Sequence, residues 1–197
     1  MNKKKEITVD EIFGSALKNH QENKLDVGIS LYEKVLKIDP KHENALNNLG
    51  VIFQRSHEYQ KAKKCFEKAI KINPNYAEAY NNLGMVLHAL QINEKKKKNC
   101  FEKAIKINPN YADAHYNLGL IFQGLYEYQK AIDCYKKTIE INPNNVNAHY
   151  NLGLIFQGFN EYQKAKDCYE KAIEIDPINT FAQDALDILL ELIESNE

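Results

Sequence analysis

Apolar and small residues recur along most of the chain at the three- and four-residue spacing of amphipathic helices. Between Ala112 and Pro143, one such block covers residues 112–125 and a second covers residues 128–141. A short turn separates the two blocks, and Asn-Pro follows the second. The pattern therefore predicts a helical hairpin. A nearly identical copy of this stretch covers residues 146–177.

The prolines show that the hairpin is repeated along the whole chain. Pro40, Pro74, Pro109, Pro143 and Pro177 are separated by 34, 35, 34 and 34 residues. A period in the low thirties is typical of stacked repeat proteins. Each hairpin is too small to bury its apolar faces alone and has to pack on its neighbours.

The repeated motifs carry a family resemblance. Asn-Leu-Gly, then Glu-Tyr-Gln-Lys-Ala, then Cys-Tyr and a closing Asn-Pro or Asp-Pro resemble the tetratricopeptide repeat, over about residues 9–194. The resemblance implies an all-α fold, a right-handed superhelix (α-solenoid) of five helix-turn-helix repeats followed by a capping helix. It also implies that the first helices line a concave groove that holds a ligand.

The motifs predict the boundaries of the repeats. A polar lead covers residues 1–8, and residues 180–197 form a capping helix and tail, with Thr180 as the predicted N-cap. The first repeat is the most divergent, as expected where one face meets solvent. The five repeats cover residues 9–42, 43–76, 77–110, 111–145 and 146–179.

The third repeat is one residue longer than the others, and its second half begins with the lysine run Lys95–Lys98. Lys97 falls where the next repeat has Ala131, at the crossing of the two helices. A lysine there has to extend toward solvent or separate the helices. We therefore expect the poorest packing of the array here, and we expect deletion of one lysine to restore the period. The run is interpreted as a solvated surface, with a binding surface as the alternative.

Composition limits the functional classes. The chain is 44% hydrophobic with a formal net charge of -1, which suits one solenoid and argues against a strongly basic nucleic-acid binder. No apolar run approaches the roughly 18 residues of a membrane span. The basic N-terminal residues precede no apolar segment of the kind found in a secretory signal. These features predict a cytoplasmic protein that contacts neither nucleic acid nor membrane.

Candidate chemistry is sparse. HExxH and GxSxG motifs and paired His/Cys clusters are absent from the sequence, so we predict no enzyme activity, no metal site and no cofactor. His115 and His149 occupy the position of Tyr80 and are interpreted as packing residues. The cysteines occur once per repeat just before an aromatic residue and are interpreted as half-buried packing residues: Cys65, Cys100, Cys134 and Cys168.

One asparagine per triplet is the candidate for ligand binding. Asparagine is a mediocre helix former, and its side-chain amide both donates and accepts hydrogen bonds. A column of such amides could bind successive peptide groups of an extended chain. The predicted column consists of Asn48, Asn82, Asn117 and Asn151, beside an apolar column (Val51, Met85, Leu120, Leu154), a polar column (Gln54, His88, Gln123, Gln157) and two tyrosines (Tyr116, Tyr150).

Two interpretations of the asparagines remain open. The column resembles the asparagine ladder in the tetratricopeptide domain of O-linked N-acetylglucosamine transferase, which favours peptide binding. The alternative is that the asparagines help one repeat to pack on the next. Family members that bind chaperone C-termini use Lys and Arg to hold a carboxylate. This chain has Asn82 with Glu78 and Asn117 with Asp113 at those places, which argues against that ligand.

The predicted function is a protein-protein interaction scaffold or adaptor that binds a peptide or protein segment in the groove. Two alternatives stay open. The chain could be the substrate-recognition arm of a larger enzyme such as a protein glycosyltransferase. It could also self-associate through the lysine-rich third repeat or its end faces.

Overall fold

The computed structural model describes residues 7–195, in which eleven α-helices and no strands occur. The all-α prediction, with five helical hairpins and a C-terminal helix, is confirmed. Most of the predicted polar lead, residues 1–6, and the last two residues of the tail lie outside the described range. The helices are α1 (Val9–Gln21), α2 (Leu25–Ile38), α3 (Glu43–Arg55), α4 (Tyr59–Ile72), α5 (Ala77–Ala89), α6 (Glu94–Ile107), α7 (Ala112–Gly124), α8 (Tyr128–Ile141), α9 (Val146–Gly158), α10 (Tyr162–Ile175) and α11 (Thr180–Glu194).

The chain divides into two compact units, which are described separately. The first unit ends at Asn108 and contains α1–α6, and the second begins at Pro109 and contains α7–α11. Within each unit, consecutive helices pack against each other. The core of the first unit includes Tyr32, Ile52, Phe66 and Val86, and that of the second includes Leu118, Tyr135, Leu152, Tyr169 and Leu189.

The glycine of each Asn-Leu-Gly triplet lets the two helices of a hairpin approach closely. A Cβ atom on Gly119 would lie 2.7 Å from the ring of Tyr135, which is fully buried. The same relation holds for Gly153 with Tyr169, and for Gly50 with Phe66 and Gly84 with Phe101 in the first unit. The triplet and the aromatic of the second helix are therefore two halves of one packing contact.

The extra residue of the third repeat lies in a turn. Residues 90–93 connect α5 to α6, whereas three residues make the corresponding turn in the other hairpins. Helix α6 keeps the 14 residues of α4, α8 and α10. Deleting a turn residue would therefore give this hairpin the turn length of the others, whereas the predicted effect of deleting a lysine remains a prediction.

The last residue of this longer turn, Asn93, caps α6. The Asn93 side-chain oxygen accepts a hydrogen bond from the Lys95 backbone N–H at 2.9 Å. The second helices α2, α4, α8 and α10 lack such a side-chain cap. An N-cap hydrogen bond of this kind stabilises a helix by about 0.5–2 kcal/mol. Asn93, where most other repeats have glutamate, thus helps to begin a helix whose first turn is crowded with lysines.

Lys97 is buried, with 3% of its surface exposed. Its ammonium group donates to the Glu94 carboxylate one turn earlier on the same helix. The corresponding positions in three other repeats hold the fully buried Ala62, Ala131 and Ala165. The lysine therefore remains at the helix crossing and relies on a single acidic partner there.

The N-cap of α11 is Asn179, so the prediction of Thr180 was wrong by one residue. The Asn179 side-chain oxygen accepts from the Ala182 N–H at 3.0 Å, and Asn145 caps α9 in the same way at 2.9 Å. Thr180 is already the first helical residue. Asn179 lies 34 positions after Asn145, so the repeat register identifies the N-cap better than the residue type alone.

Candidate functional site

In the second unit, α7 and α9 present the predicted binding columns. Leu120 is 41% exposed, whereas the remaining predicted residues of these helices are half-buried. Helical spacing accounts for this arrangement, since positions three and four apart share a face. The half-buried residues are Asn117, Asn151, Leu154, Gln123, Gln157, Tyr116 and Tyr150.

Hydrogen bonds connect several of these side chains to the rest of the fold. The Asn151 amide donates to the Tyr116 hydroxyl at 3.1 Å, from one repeat to the preceding one. The buried Tyr135 donates its hydroxyl proton to Gln123 at 2.6 Å. Tyr169 does the same to Gln157 at 2.6 Å. The polar column of this unit is therefore held in place by the core tyrosines.

The tyrosine hydroxyls of this face stay protonated at neutral pH. Burial raises the pKa of Tyr116, and the hydrogen bond from Asn151 opposes that shift to a smaller extent. Burial is also the main cause of the raised pKa values of Tyr135 and Tyr169. All three groups can therefore act as hydrogen-bond donors and acceptors, without contributing charge.

A pocket of about 200 Å³ opens between α7 and α9. Two predicted residues, Gln123 and Leu154, line it together with Gly158. Its aromatic wall consists of Tyr128 and Phe159, whose rings meet edge to face at 5.6 Å. Phe159 is 49% exposed. The pocket therefore offers apolar surface beside an amide group.

In the first unit, α3 and α5 carry the corresponding columns. Asn48, Asn82, Val51 and Gln54 are half-buried, Met85 is 40% exposed and His88 is exposed. The Asn82 amide donates to the Asn47 side-chain oxygen at 3.2 Å. The second unit shows the same kind of contact. In both units the asparagine that begins a triplet binds a residue of the preceding repeat, the one directly before that repeat's own triplet.

Sequence reasoning selected the residue just before the triplet in the second unit, as Tyr116 and Tyr150, but missed it in the first unit. Asn47 is completely buried and donates to Glu78 at 2.9 Å while accepting from Asn82. Asn81, its counterpart in the next repeat, is 3% exposed. The paired asparagines of Asn-Asn-Leu-Gly were a visible signal, but their pairing becomes apparent only once repeats stack.

His115 and His149, the two histidines predicted to be packing residues, bind the preceding turn. The Nε2 atom of His115 lies 2.9 Å from the Pro109 carbonyl oxygen, and that of His149 lies 3.0 Å from the Pro143 oxygen. Gln183 reaches the Pro177 carbonyl at 2.9 Å from the same position of α11. The predicted packing role of these positions therefore includes a hydrogen bond to the proline turn.

Neither a metal site nor a membrane span is found in the described part of the chain. Residues 7–195 contain no group of three or more His, Cys, Asp or Glu side chains placed to hold a metal ion. None of the helices in that range is both long and apolar enough to cross a bilayer.

All four cysteines are half-buried free thiols. Burial is the main cause that raises the pKa of Cys65, Cys100, Cys134 and Cys168 from 9.0 to about 11. Because the thiolate is the reactive form, these thiols are poor nucleophiles at neutral pH. Their environment is that of packing residues.

We expect the thiols to react slowly with a disulfide reagent at about pH 8 and rapidly after denaturation. The unfolded chain releases the thiol protons near pH 9, whereas the folded chain holds them to about pH 11. The free energy of unfolding should therefore fall as pH rises through this window. Urea unfolding of the natural chain and of a quadruple Cys→Ala variant would measure the thiol contribution. If the free energy of unfolding fell equally at alkaline pH in both chains, the proposed thiol contribution would be contradicted.

Family models match most of the repeats. A model described as tetratricopeptide repeat matches residues 43–76 and 146–179, and a second model of that description matches residues 65–98. A model described as TPR repeat matches residues 99–125 and 127–158. No protein with a curated description matches the sequence.

Solved structures of similar fold cover nearly the whole chain. The crystal structure of MamA is 31% identical, with a TM-score of 0.71, and the match covers 82% of this chain and 94% of that one. YrrB, described as a TPR protein with an unusual peptide-binding site, is 24% identical over 92% and 93% of the two chains, with a TM-score of 0.70. The pilF protein of Pseudomonas aeruginosa is 20% identical over 95% and 85%, with a TM-score of 0.85.

The repeat motifs, the helical hairpins and these matches agree. The triplet glycines pack beneath the aromatics of the second helices in four successive repeats, and the family models match those same repeats. The chain belongs to the tetratricopeptide repeat family.

Proposed function

We propose that this protein is a non-enzymatic interaction scaffold that binds an extended segment of a partner protein on its first-helix faces. The observation that carries the proposal is the pairing of exposed apolar residues with half-buried amides on those faces. Leu120 and Met85 are 41% and 40% exposed on helices that also carry the triplet asparagines. Apolar contact supplies affinity, and amides can bind the peptide backbone.

The pocket between α7 and α9 adds a place for one side chain of the partner. Its volume of about 200 Å³ exceeds the roughly 150 Å³ of an apolar cavity that holds benzene. Tyr128 and Phe159 line it, so an aromatic or large aliphatic side chain fits it best. YrrB, described as having a peptide-binding site, is a precedent for peptide recognition by this fold.

The contacts between repeats also support the packing interpretation of the asparagines. Asn82 and Asn151 each use one amide N–H on the preceding repeat. A side-chain amide has two N–H groups and an acceptor oxygen, so one such bond does not exhaust it. In our proposal the neighbouring repeat orients the amide, and the remaining N–H group and oxygen face the ligand.

The test begins with peptides selected on the full chain from a displayed random library. Filling the pocket by Gly158→Leu should weaken their binding about 10-fold or more, the loss expected when an anchoring side chain is excluded. Gly124→Leu is the matched control, because Gly124 has the equivalent position in the preceding repeat. A Cβ atom at either glycine meets nothing within 4 Å, so both variants should fold. Equal binding by both variants would refute the pocket.

Asparagine variants then separate binding from packing. A net hydrogen bond contributes about 0.5–1.5 kcal/mol, so a single Asn→Ala change should not abolish binding. The loss of peptide affinity should be larger in the double variants Asn117→Ala/Asn151→Ala and Asn48→Ala/Asn82→Ala than in either single variant. Lost stability with unchanged peptide affinity would favour packing alone. Amidation of the peptide C-terminus should leave affinity unchanged, because no carboxylate clamp is expected.

A further inference from the structure

A lysine near the start of the second helix has two partners in three of the repeats. Lys61 pairs with Glu58, and its ammonium group lies 5.1 Å from the centroid of the Phe53 ring. Lys130 pairs with Glu127 above Phe122, and Lys164 pairs with Glu161 above Phe156, each at 5.4 Å from the ring centroid. We call this arrangement the Glu-Lys-Phe contact.

The third repeat has the lysine but neither partner. Lys96 occupies the position of Lys164, while Asn93 replaces the glutamate and Leu87 replaces the phenylalanine. Glu94 is engaged by Lys97 instead. Lys96 is exposed and lines a pocket rather than covering a ring. A positive charge without its acidic partner therefore stands at the pocket edge.

This pocket, of about 340 Å³, lies between α4, α5 and α6 of the first unit. Buried Leu83 and Leu87 form its floor together with half-buried Ile92 and Cys100. Lys63, Lys96, Glu67 and Asn99 form its rim.

The pocket exists because two large apolar side chains that fill the corresponding place in the second unit are replaced in the first. The residues that correspond to Lys63 and Leu87 in the second unit are Ile132 and Phe156, which are 5% and 8% exposed. In the first unit a lysine and a smaller leucine stand there, so the apolar floor is reachable from outside. At the seam between the fourth and fifth repeats, Ile132 and Phe156 fill the corresponding place.

The two helices on either side of the pocket carry an excess of lysine, of which Lys96 and Lys63, the latter paired with Glu67 at 3.5 Å, line the pocket itself. Helices α4 and α6 together carry eleven lysines and three glutamates. The corresponding helices α8 and α10 carry six lysines and five acidic residues. Because the charge excess is confined to the helices that line the pocket, an apolar group flanked by acidic side chains is the best match for it.

Helix α11 and the turn before it have that composition. The helix carries Asp184, Asp187, Glu191 and Glu194 and no basic residue. Ile178 in the turn is 87% exposed, and Phe181 in the first helical turn is 71% exposed. They are three positions apart, with Asp184 and Asp187 following within two turns. Two large apolar side chains thus precede a pair of acidic ones.

We propose that the pocket between α4, α5 and α6 receives Ile178 and Phe181 of a second copy of this chain, with Asp184 and Asp187 of that copy facing Lys63 and Lys96. A cavity of roughly 150 Å³ holds one benzene ring, so a pocket of about 340 Å³ has room for both side chains. Desolvation of the two apolar groups supplies affinity, and the opposite charges set the orientation.

The contact joins different surfaces of two identical chains. In a pair joined by one such heterologous contact, one pocket and one α11 remain unoccupied. These surfaces can bind further copies until a ring closes, so larger assemblies can form. On α5 it uses the buried Leu83 and Leu87, whereas the proposed peptide-binding face of that helix uses Asn82 and Met85. The two proposals therefore rest on different side chains and can fail independently.

Sedimentation velocity of the full chain tests the contact. Between about 1 and 200 µM the weight-average sedimentation coefficient should rise at roughly 50 mM salt, and less so at roughly 500 mM salt, because charge attraction is screened. A natural chain that remains monomeric throughout this range would overturn the proposal.

Leu87→Phe is the decisive single variant. It fills the pocket with the residue found at three equivalent positions, Phe53, Phe122 and Phe156, so the fold should be retained. Self-association should fall at least about 10-fold, as expected when an interface anchor is excluded. Affinity for the library-selected peptides should be unchanged. Unchanged self-association in a folded Leu87→Phe chain would refute the site.

Charge exchange identifies the occupant. The Lys63→Glu/Lys96→Glu chain and the Asp184→Lys/Asp187→Lys chain should each be monomeric, because like charges then meet. An equimolar mixture should associate, because each pocket then meets α11 of the other variant with opposite charge. Lys68→Glu/Lys71→Glu, which alters the charge of α4 away from the pocket, is the control and should self-associate like the natural chain. A mixture that stays monomeric would show that α11 does not bind the pocket.

Discussion

Gly119→Ala should destabilise the protein in the natural background and stop doing so once Tyr135 is replaced by alanine. Alone, the added methyl group would lie 2.7 Å from the Tyr135 ring, so overpacking should lower the free energy of unfolding by about 1–3 kcal/mol. Tyr135→Ala should cost more, about 3–5 kcal/mol, because it empties a fully buried ring site. These are among the largest effects expected in the second unit.

In the double variant the two effects should not add. Without the ring the closest remaining contact of the methyl group is the Cβ atom of Cys134 at 3.2 Å, which a small shift relieves. Alanine is also a better helix former than glycine by about 1 kcal/mol. Gly119→Ala should therefore become neutral or stabilising in the Tyr135→Ala background, a coupling that a double-mutant cycle measures. The readout is the protection of α7 and α8 amides in native-state hydrogen exchange.

Gly124 provides the matched control on the same helix. A Cβ atom there meets nothing within 4 Å, so Gly124→Ala should be neutral or slightly stabilising in both backgrounds. Additive costs for Gly119→Ala and Tyr135→Ala would show that the triplet glycine is not required by this aromatic.

Glu94→Gln and Lys97→Ala should shift stability in opposite directions. Removing the Glu94 charge leaves the buried Lys97 ammonium without its acidic partner. Complete loss of a buried partner costs about 3–5 kcal/mol, but Glu94 is 53% exposed, so water reaches this pair and about 2 kcal/mol is expected. Lys97→Ala restores the small residue found in three other repeats and should gain about 1 kcal/mol.

Hydrogen exchange locates these effects. Residues 91–100 should exchange faster than residues 126–134 in the natural chain, faster still in Glu94→Gln, and more slowly in Lys97→Ala. Lys98→Ala is the control, because Lys98 is the next residue on the helix but its side chain is 31% exposed, against 4% for Lys97. Equal protection of the two segments in the natural chain would show that the Asn93 cap compensates fully for Lys97.

The candidate binding faces were predictable in position but not in detail. The spacing of Asn82, Met85 and Asn151 placed them on first helices, where the structure has them. Their partners were not predictable, because the bonds from Asn82 to Asn47 and from Asn151 to Tyr116 each span 35 residues. The pocket beside Phe159 likewise depends on a ring supplied by the preceding repeat, at Tyr128.

The sequence alone determined the family and the helical hairpins, because these features are local and recur with one period. Only the tertiary structure decided that the extra residue lies in the turn before α6, that Asn93 caps this helix, and that each triplet glycine packs against an aromatic ring. It also decided that Leu87 and Lys63 leave a pocket where Phe156 and Ile132 fill the corresponding place. Such outcomes depend on which side chains meet when repeats stack, and no single repeat contains that information.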